Sequence, residues 1–155
     1  MVIVRLQRPP RPVPNAGPLK LRYSVRNGLA QPIFAITGPA TVQPRSGPEI
    51  HIILGENPIP DDAYYFNYEP PTQRLVGAGQ ELHLSLTVEL PLWRLIEGSR
   101  GDVREVVVPL FGNVEVYLTV GFTRNRFRGS SSDPASELIR RQALTAPATV
   151  TVNIR

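Results

Sequence analysis

The sequence predicts an all-β protein, a two-sheet antiparallel sandwich that forms a single domain from all 155 residues. Apolar and polar residues alternate along several stretches, as they do in a strand with one buried face. Proline and glycine, with 17 and 12 residues, separate these stretches. Helical periodicity is almost missing. Because the chain is long enough to bury a sizeable core, the fold needs no disulfide or metal.

The first four predicted strands are Val2–Gln7, 19–26, 33–37 and Glu49–Leu54. In 19–26 four apolar residues alternate with polar ones: Leu19, Leu21, Tyr23 and Val25. Residues 27–31 then form a five-residue connection, which is too long for a tight two-residue hairpin turn. This length indicates that the connection joins two sheets rather than neighbouring strands.

Five more strands are predicted at 63–68, 81–89, 103–110, 114–123 and 149–154. The strongest alternation places Leu82, Leu84, Leu86 and Val88 on one face of 81–89. A hairpin turn at Gly77-Ala78-Gly79 is predicted to precede this strand. A second tight turn, at 111–113, is predicted to join 103–110 and 114–123 as antiparallel neighbours. In 114–123 the inward face is Val114, Val116, Leu118 and Val120.

One short helix is predicted at 134–143. Asp133 has the side chain of an N-cap, Pro134 suits the first helical position, and Glu137 favours the positive end of the helix dipole. Apolar residues at 138, 139 and 144 are expected to hold the helix across one end of the sandwich.

Residues 19–37 contain the pattern Leu-x-Tyr-x-Val-x-Asn, followed by Pro-Ile and a short apolar strand. Gly77-Ala78-Gly79 precedes a long alternating strand. Together these features resemble bacterial immunoglobulin-like β-sandwich modules, and the resemblance implies that fold. The disulfide and central tryptophan of antibody domains have no counterpart, because cysteine is absent and Trp93 follows a strand. The resemblance therefore assigns no functional residue.

No catalytic or cofactor site is predicted. The absence of cysteine excludes a disulfide, a thiol nucleophile and a thiolate zinc site. His51 and His83 lie in predicted strands without a nearby nucleophile, so solvent-exposed or cross-strand-paired histidines are expected. Glu56, Asp61 and Asp62 have the chemistry of calcium ligands, but their spacing matches no calcium loop, and an ordinary turn is the favoured interpretation. No metal site is predicted, and the chain is not expected to be an enzyme.

Arginines form the main chemical cluster. The candidate interaction residues are Arg124, Arg126, Phe127, Arg128, Arg140 and Arg141. If the first three arginines continue strand 114–123, their guanidinium groups share one face and suit phosphates, acidic peptides or stacked bases. The alternative is a solvated strand end that prevents edge pairing. The formal charge of +4 is only a modest indication of a polyanionic partner.

Aromatic residues supply the other candidates, Tyr64, Tyr65, Tyr68 and Trp93. Tyrosine, tryptophan and arginine often dominate protein interfaces. The alternative is that these rings cover the open ends of the sandwich.

The sequence thus predicts a non-catalytic protein-interaction module that binds through loops or a sheet edge. Two alternatives stay open: a polyanion or nucleic-acid binder centred on the arginines, and a self-associating structural subunit. The strands Val2–Gln7 and 149–154 have ladders that suit a partner strand or a second subunit. The loops expected to carry recognition are 8–18, 55–75 and 124–146.

The sequence has neither the pattern of a signal peptide nor an apolar run of membrane-spanning length. We therefore expect a soluble protein, cytoplasmic by default, with no membrane partner. A secreted protein or an excised domain remains open.

Overall fold

The computed structural model describes residues 1–45, 47–56, 69–129 and 131–155. These residues form an all-β structure with one helix. The elements in chain order are β1 Val2–Gln7, β2 Gly17–Asn27, β3 Ile33–Gly38, β4 Ala40–Arg45, β5 Glu49–Leu54, β6 Thr72–Val76, β7 Glu81–Leu90, β8 Leu92–Glu97, β9 Val103–Val108, β10 Gly112–Thr123, α1 Pro134–Arg141, β11 Ala143–Leu144 and β12 Ala148–Ile154. The predicted strand at 63–68 lies outside the described residues.

The described strands form three sheets. A three-stranded antiparallel sheet has the order β1-β2-β7, and β8 and β9 pair as a two-stranded sheet. The seven-stranded sheet has the order β4-β5-β10-β3-β6, with β11 and β12 also paired to β10. In this sheet β5 runs parallel to β10, so the prediction of purely antiparallel sheets is wrong. Parallel neighbours need a long connection, and residues 55–111 separate these two strands.

A single hydrophobic core contains residues of both larger sheets. Leu19 and Leu21 of β2 are fully buried, as are Ile50 of β5 and Leu118 of β10. The predicted inward face of β10 is confirmed, because its four apolar residues have no exposed surface: Val114, Val116, Leu118 and Val120. Burial of this kind supplies most of the free energy that favours folding.

Two connections cross between the larger sheets. The connection after β2 leads to β3 in the seven-stranded sheet, which confirms the prediction for 27–31. The turn at Gly77-Ala78-Gly79 leads from β6 back to β7 in the three-stranded sheet. Because β6 pairs with β3 and β7 pairs with β2, the predicted hairpin turn at this position is wrong.

Asn27 fastens both crossing connections. Its Nδ2 donates to the carbonyl oxygens of Gln31 at 2.8 Å and Val76 at 3.1 Å, and its Oδ1 accepts from the Leu29 amide at 2.9 Å. The residue is fully buried. A buried amide is stable only when its donors and acceptor are paired, and here the partners come from both sides of the crossing.

The predicted turn at 111–113 does not join antiparallel neighbours. Strand β9 pairs with β8 instead, and Gly112 already begins β10. Four observed strands are missing from the sequence prediction: β4, β6, β8 and β11. Each lacks clear alternation. β4 contains Pro44 and β11 has two residues, whereas β8 has the irregular sequence Leu-Trp-Arg-Leu-Ile-Glu.

The predicted helix is confirmed and ends slightly early, at Arg141. Asp133 caps it, because its Oδ1 accepts from the Ser136 amide at 3.3 Å, and Pro134 occupies the first turn. Leu138 is buried and anchors the helix, whereas Leu144 belongs to β11 and is exposed.

Candidate functional site

The β8–β9 hairpin exposes apolar side chains. Its register places Trp93 directly opposite Val107, and their side chains are 56% and 41% exposed. Val103 lies on the same side of the hairpin and is also exposed. No third strand pairs with this hairpin in the part of the chain that the structure describes. Glu105 lies between these two valines on the same face and is also exposed, so this open face combines apolar side chains with a carboxylate. Paired strands usually need a covered face to be stable, so such an open face is unusual.

A small apolar pocket adjoins the hairpin. It has a volume of about 100 Å³ and is lined by Leu90, Pro91, Val107 and Phe111 among others. Phe111 is 62% exposed at this position. Since Val107 belongs to both the pocket and the open face, the two are continuous. We call Trp93, Val103, Val107 and Phe111 the hairpin surface.

The hairpin is attached to the rest of the structure at its base. Leu92 is buried in the core, and the Arg94 Nη2 donates to the carbonyl oxygen of Pro44 in β4 at 3.1 Å. At the tip, the Gly98 amide donates to the Asp102 carbonyl oxygen at 2.7 Å. Trp93, Val103 and Val107 are therefore held on a strand pair with a fixed base and a closed turn, and Phe111 follows that pair in the chain.

Of these four residues, only Trp93 is a candidate from the sequence. Val103 and Val107 belong to the predicted strand 103–110. Because the sequence predicts that this strand pairs with 114–123, it does not indicate that these two valines are exposed. The glycine-containing turn 98–102, between two apolar runs of equal length, is the signal that indicates the hairpin.

The arginine segment does not continue strand β10, which ends at Thr123. Arg124, Arg126 and Arg128 are all exposed. Phe127 is buried in the core, so its ring is not presented for stacking. The condition for a single row of guanidinium groups along a strand is therefore not met, although the three charges lie within one short exposed segment.

Gln73 of β6 holds this segment against the sheet. Its Oε1 accepts from the Phe127 amide at 2.9 Å, and its Nε2 donates to the Thr123 Oγ1 at 3.0 Å. The Thr123 hydroxyl in turn donates to the Asn125 carbonyl oxygen at 2.7 Å. These bonds turn the chain away from the direction of β10 immediately after Thr123.

Helix α1 carries the other two predicted arginines. Arg141 Nη2 lies 3.0 Å from Glu137 Oε1, and the Ser131 amide donates to Glu137 Oε2 at 3.3 Å. The bond from Ser131, together with the charge of Arg141, lowers the pKa of Glu137. Arg141 is thus paired within the helix, whereas Arg140 lies in its last turn without this contact.

Gln142 connects the helix to the end of β5. Its Nε2 donates to the Glu56 carbonyl oxygen, and its Oε1 accepts from the Glu56 amide at 3.1 Å. A Cβ on Gly55 would lie 2.8 Å from that Oε1, and Gly55 has a φ of +138°. The positive φ therefore favours glycine at this position, and a larger residue would also displace the Gln142 side chain. Burial raises the pKa of the neighbouring Glu56 carboxyl group.

The two histidines occupy the settings predicted for them. His51 stacks on Tyr117, its partner across β5 and β10, with ring centroids 4.4 Å apart, and its Nε2 lies 3.2 Å from Glu49 Oε2. His83 is exposed on β7 opposite Ser24. Among the described residues, no group of three or more acidic or histidine side chains is placed to hold a metal ion.

Some residues that the sequence analysis considers, two as calcium ligands that it does not favour and three as interaction candidates, lie outside the described part of the chain. They are Asp61, Asp62, Tyr64, Tyr65 and Tyr68. For the ranges that the structure does describe, no helix has the length and apolar character needed to cross a bilayer.

The edge of β12 is partly occupied. The Val13 amide donates to the Asn153 carbonyl oxygen at 2.8 Å, and the Arg155 amide donates to the Val13 carbonyl oxygen at 3.0 Å. Val13 thus forms a parallel bridge with Ile154. The sequence analysis expects the strand 149–154 to offer its backbone groups to a partner strand. The bridge to Val13 already occupies some of these groups.

Comparisons with known proteins do not add a family to these observations. No protein-family model, curated protein sequence or solved structure matches this chain.

Proposed function

We propose that this chain is a non-catalytic protein-interaction module that binds its partner through the hairpin surface. The observation that carries the proposal is the cross-strand pair of Trp93 and Val107, which is exposed beside an apolar pocket. Exposed apolar patches on a folded domain usually mark binding surfaces. Tryptophan is also among the residues that contribute most to protein interfaces.

The pocket suggests how a partner is recognised. Its volume of about 100 Å³ suits one apolar side chain, and its lining includes Val107 and Phe111. We expect such a partner also to cover Trp93, because Trp93 lies opposite the pocket residue Val107. The partner is therefore a protein or peptide with an exposed aliphatic or aromatic anchor.

We also propose that the two larger sheets form an immunoglobulin-like sandwich that serves as the scaffold. Support comes from the shared hydrophobic core and from the two crossing connections that Asn27 fastens. The parallel pairing of β5 and β10 is compatible with such a scaffold because it leaves the shared core intact.

Pull-down from the native host with immobilised protein tests the interaction. We expect a partner that the wild type retains and Trp93→Ala loses, with affinity weakened about 30-fold or more, the effect of about 2 kcal/mol at a central interface residue. Leu75→Ala is the matched control, because Leu75 is an exposed apolar residue on β6, far along the chain from the hairpin. Equal retention by wild type and Trp93→Ala would contradict the proposal.

Light scattering during size-exclusion chromatography separates a foreign partner from self-association. If the wild-type protein is an oligomer and Trp93→Ala makes it a monomer, the partner is a second copy of this chain. That result would favour a self-associating structural subunit. If the wild-type protein is a monomer, the partner is a different protein.

The second candidate is polyanion binding through Arg124, Arg126 and Arg128. The favouring observation is that all three side chains are exposed within five residues. Since Phe127 is buried, phosphates or acidic groups fit this segment better than stacked bases. Retention on heparin should fall with salt and should weaken when the three arginines become alanine. Retention that neither salt nor these substitutions change would eliminate this candidate.

A further inference from the structure

Strand β7 is the longest edge strand that the structure describes, with ten residues at Glu81–Leu90. It lies at one end of the three-stranded sheet, where β2 is its neighbour on one side and no described strand pairs with its other side. Its register with β2 is continuous from Arg26↔Glu81 to Gly17↔Leu90, without a bulge. Proteins usually shorten, bend or cover such an edge, because its unpaired backbone groups can pair with another strand.

A hydrogen bond at the start of β7 shows which of its backbone groups are free. The Asn27 amide of β2 donates to the Gln80 carbonyl oxygen at 2.9 Å. In an antiparallel pair the backbone groups of successive residues point to opposite sides of the strand, so the even-numbered residues of β7 face β2. The odd-numbered residues direct their N–H and C=O groups away from the sheet, and they are Glu81, His83, Ser85, Thr87 and Glu89. No described residue forms a hydrogen bond with these outward groups.

The other described edges of the two larger sheets offer less to a partner strand. Val13 already bridges β12, and Pro44 in β4 lacks an amide. Strands β1 and β6 have only six and five residues. Among the described edges of these sheets, β7 therefore combines the greatest length with a regular row of free backbone groups.

The inward face of β7 is incompletely covered. Leu82 and Leu84 point toward the other sheet but are only half-buried, whereas Leu86 and Val88 further along the strand are buried. An added strand would place its own inward side chains beside these leucines. Apolar side chains at those positions would cover Leu82 and Leu84 and extend the core.

The outward face of β7 carries a carboxylate near each end. Glu81 and Glu89 are both exposed, and neither forms an ion pair with a residue that the structure describes. Side chains directly opposite each other on neighbouring strands share a face, so basic residues opposite these glutamates would be attracted. If a second copy of β7 paired over the same length, Glu81 of each copy would lie opposite Glu89 of the other. This like-charge contact is unfavourable and argues against a second copy.

We propose that the edge of β7 binds an extended segment of another protein as an additional antiparallel strand. The segment has apolar residues beside Leu82 and Leu84 and a basic residue at each end, opposite Glu81 and Glu89. The backbone bonds supply affinity, and the alternating side chains supply specificity. This site uses the backbone of 81–89 and does not depend on the hairpin surface, so it goes beyond the proposed function.

Isothermal titration calorimetry at low ionic strength tests the proposal with a nine-residue peptide that is capped at both termini. This lysine probe has lysine at both ends, threonine at the third, fifth and seventh positions, and valine at the four positions between. It should bind with a Kd below about 1 mM. A glutamate probe, with glutamate in place of both lysines, should bind about fivefold or more weakly. Absence of binding by the lysine probe at millimolar concentration would overturn the proposal.

N-methylation of the lysine probe tests the backbone pairing. In the proposed register the threonine amides face β7, whereas the valine amides face away. Methylation of the three threonine amides should weaken binding about tenfold or more. Methylation of three valine amides is the matched control and should weaken binding less than about threefold. Equal weakening by the two modifications would contradict strand addition.

Ser85→Pro tests the edge from the side of the protein. It removes the central outward amide of β7, and proline is tolerated where an edge amide has no partner in the sheet. We expect this substitution to weaken binding of the lysine probe about tenfold or more. Ser85→Ala is the matched control, because it keeps the amide, and it should change the affinity less than about twofold. Circular dichroism checks the folding of both variants, and equal affinities of the two folded variants would overturn the proposal.

Reversal of charge gives a test that does not require Ser85→Pro to fold. The double variant with Glu81→Lys and Glu89→Lys changes two exposed side chains and leaves the backbone edge intact. It should bind the glutamate probe more tightly than the lysine probe, which is the reverse of the wild-type preference. An unchanged preference for the lysine probe would contradict the assigned register.

Two further measurements separate this site from the alternatives. Trp93→Ala should leave the affinity for the lysine probe unchanged within about twofold, because Trp93 lies outside β7. Loss of binding with Trp93→Ala would place the probe on the hairpin surface and overturn the proposal. A wild-type dimer that Ser85→Pro converts to a monomer would also overturn it, because the occupant of the edge would then be a second copy of this chain.

Discussion

Strand β10 and the β8–β9 hairpin are both rich in apolar residues, yet they bury them very differently. The inward residues of β10 have no exposed surface, because the strand has neighbours along both edges and lies in the core. Trp93 and Val107 of the hairpin are exposed, because no described strand extends their sheet. Apolar residues in β10 thus stabilise the fold, whereas those on the hairpin surface stay exposed, as our proposed binding surface requires.

The largest effect on stability is expected in β10. Leu118→Ala removes a fully buried side chain and should lower the free energy of unfolding by about 2–5 kcal/mol. Chemical denaturation followed by circular dichroism measures this change. A loss below about 1 kcal/mol would show that β10 is not the centre of the core.

Asn27→Ala should have the next largest effect. It removes the amide that bonds Leu29, Gln31 and Val76 and leaves buried backbone groups without partners. We expect a loss of about 1–3 kcal/mol in the free energy of unfolding. Asn153→Ala is the control, because Asn153 is exposed on β12, and it should cost less than about 0.5 kcal/mol. Equal costs for the two substitutions would contradict the fastening role of Asn27.

The Tyr23 hydroxyl should make stability depend on alkaline pH. Burial raises its pKa from 10.0 to about 12, so the folded protein keeps a proton that the unfolded chain loses. Stability is therefore fully present below pH 10 and falls as the pH rises from 10 toward 12, by up to about 1.4 kcal/mol per pH unit.

Tyr23→Phe isolates this contribution. Removing a buried hydroxyl that has no partner among the described residues should raise the free energy of unfolding by about 1 kcal/mol at neutral pH and should remove this part of the alkaline loss. Denaturation curves of both proteins at about pH 9 and about pH 11 provide the comparison. An identical alkaline loss in both proteins would show that Tyr23 is not its source.

Trp93→Ala should have the smallest effect on folding. Because the ring is mostly exposed, we expect a change of about 0.5 kcal/mol or less in the free energy of unfolding. The same substitution should weaken partner binding about 30-fold or more, whereas Leu118→Ala should mainly lower stability. A loss comparable with that of Leu118→Ala would mean that Trp93 stabilises the fold and is not free for a partner.

The sequence is sufficient for the strands with regular alternation. Leu82 to Val88 and Val114 to Val120 indicate their buried faces, and Asp133 with Pro134 marks the start of the helix, because these signals are local. Strand pairing is not predictable to the same extent. The parallel neighbour of β10 and the crossing at Gly77-Ala78-Gly79 depend on contacts between residues far apart in the chain.

The candidate sites show the same limit. Trp93 is identified by residue type, but its partner Val107 follows from a register that the irregular sequence of β8 conceals. The burial of Phe127 depends on Gln73, which is more than fifty residues away in sequence.

The most direct test of the hairpin surface is the fluorescence of Trp93, the single tryptophan of the chain. In the free protein we expect emission typical of an exposed indole and ready quenching by acrylamide. On addition of the purified partner, the emission should shift to shorter wavelength and the quenching should decrease, because the partner covers the ring. Saturation with the partner without change in either property would contradict the central claim that Trp93 lies in the interface.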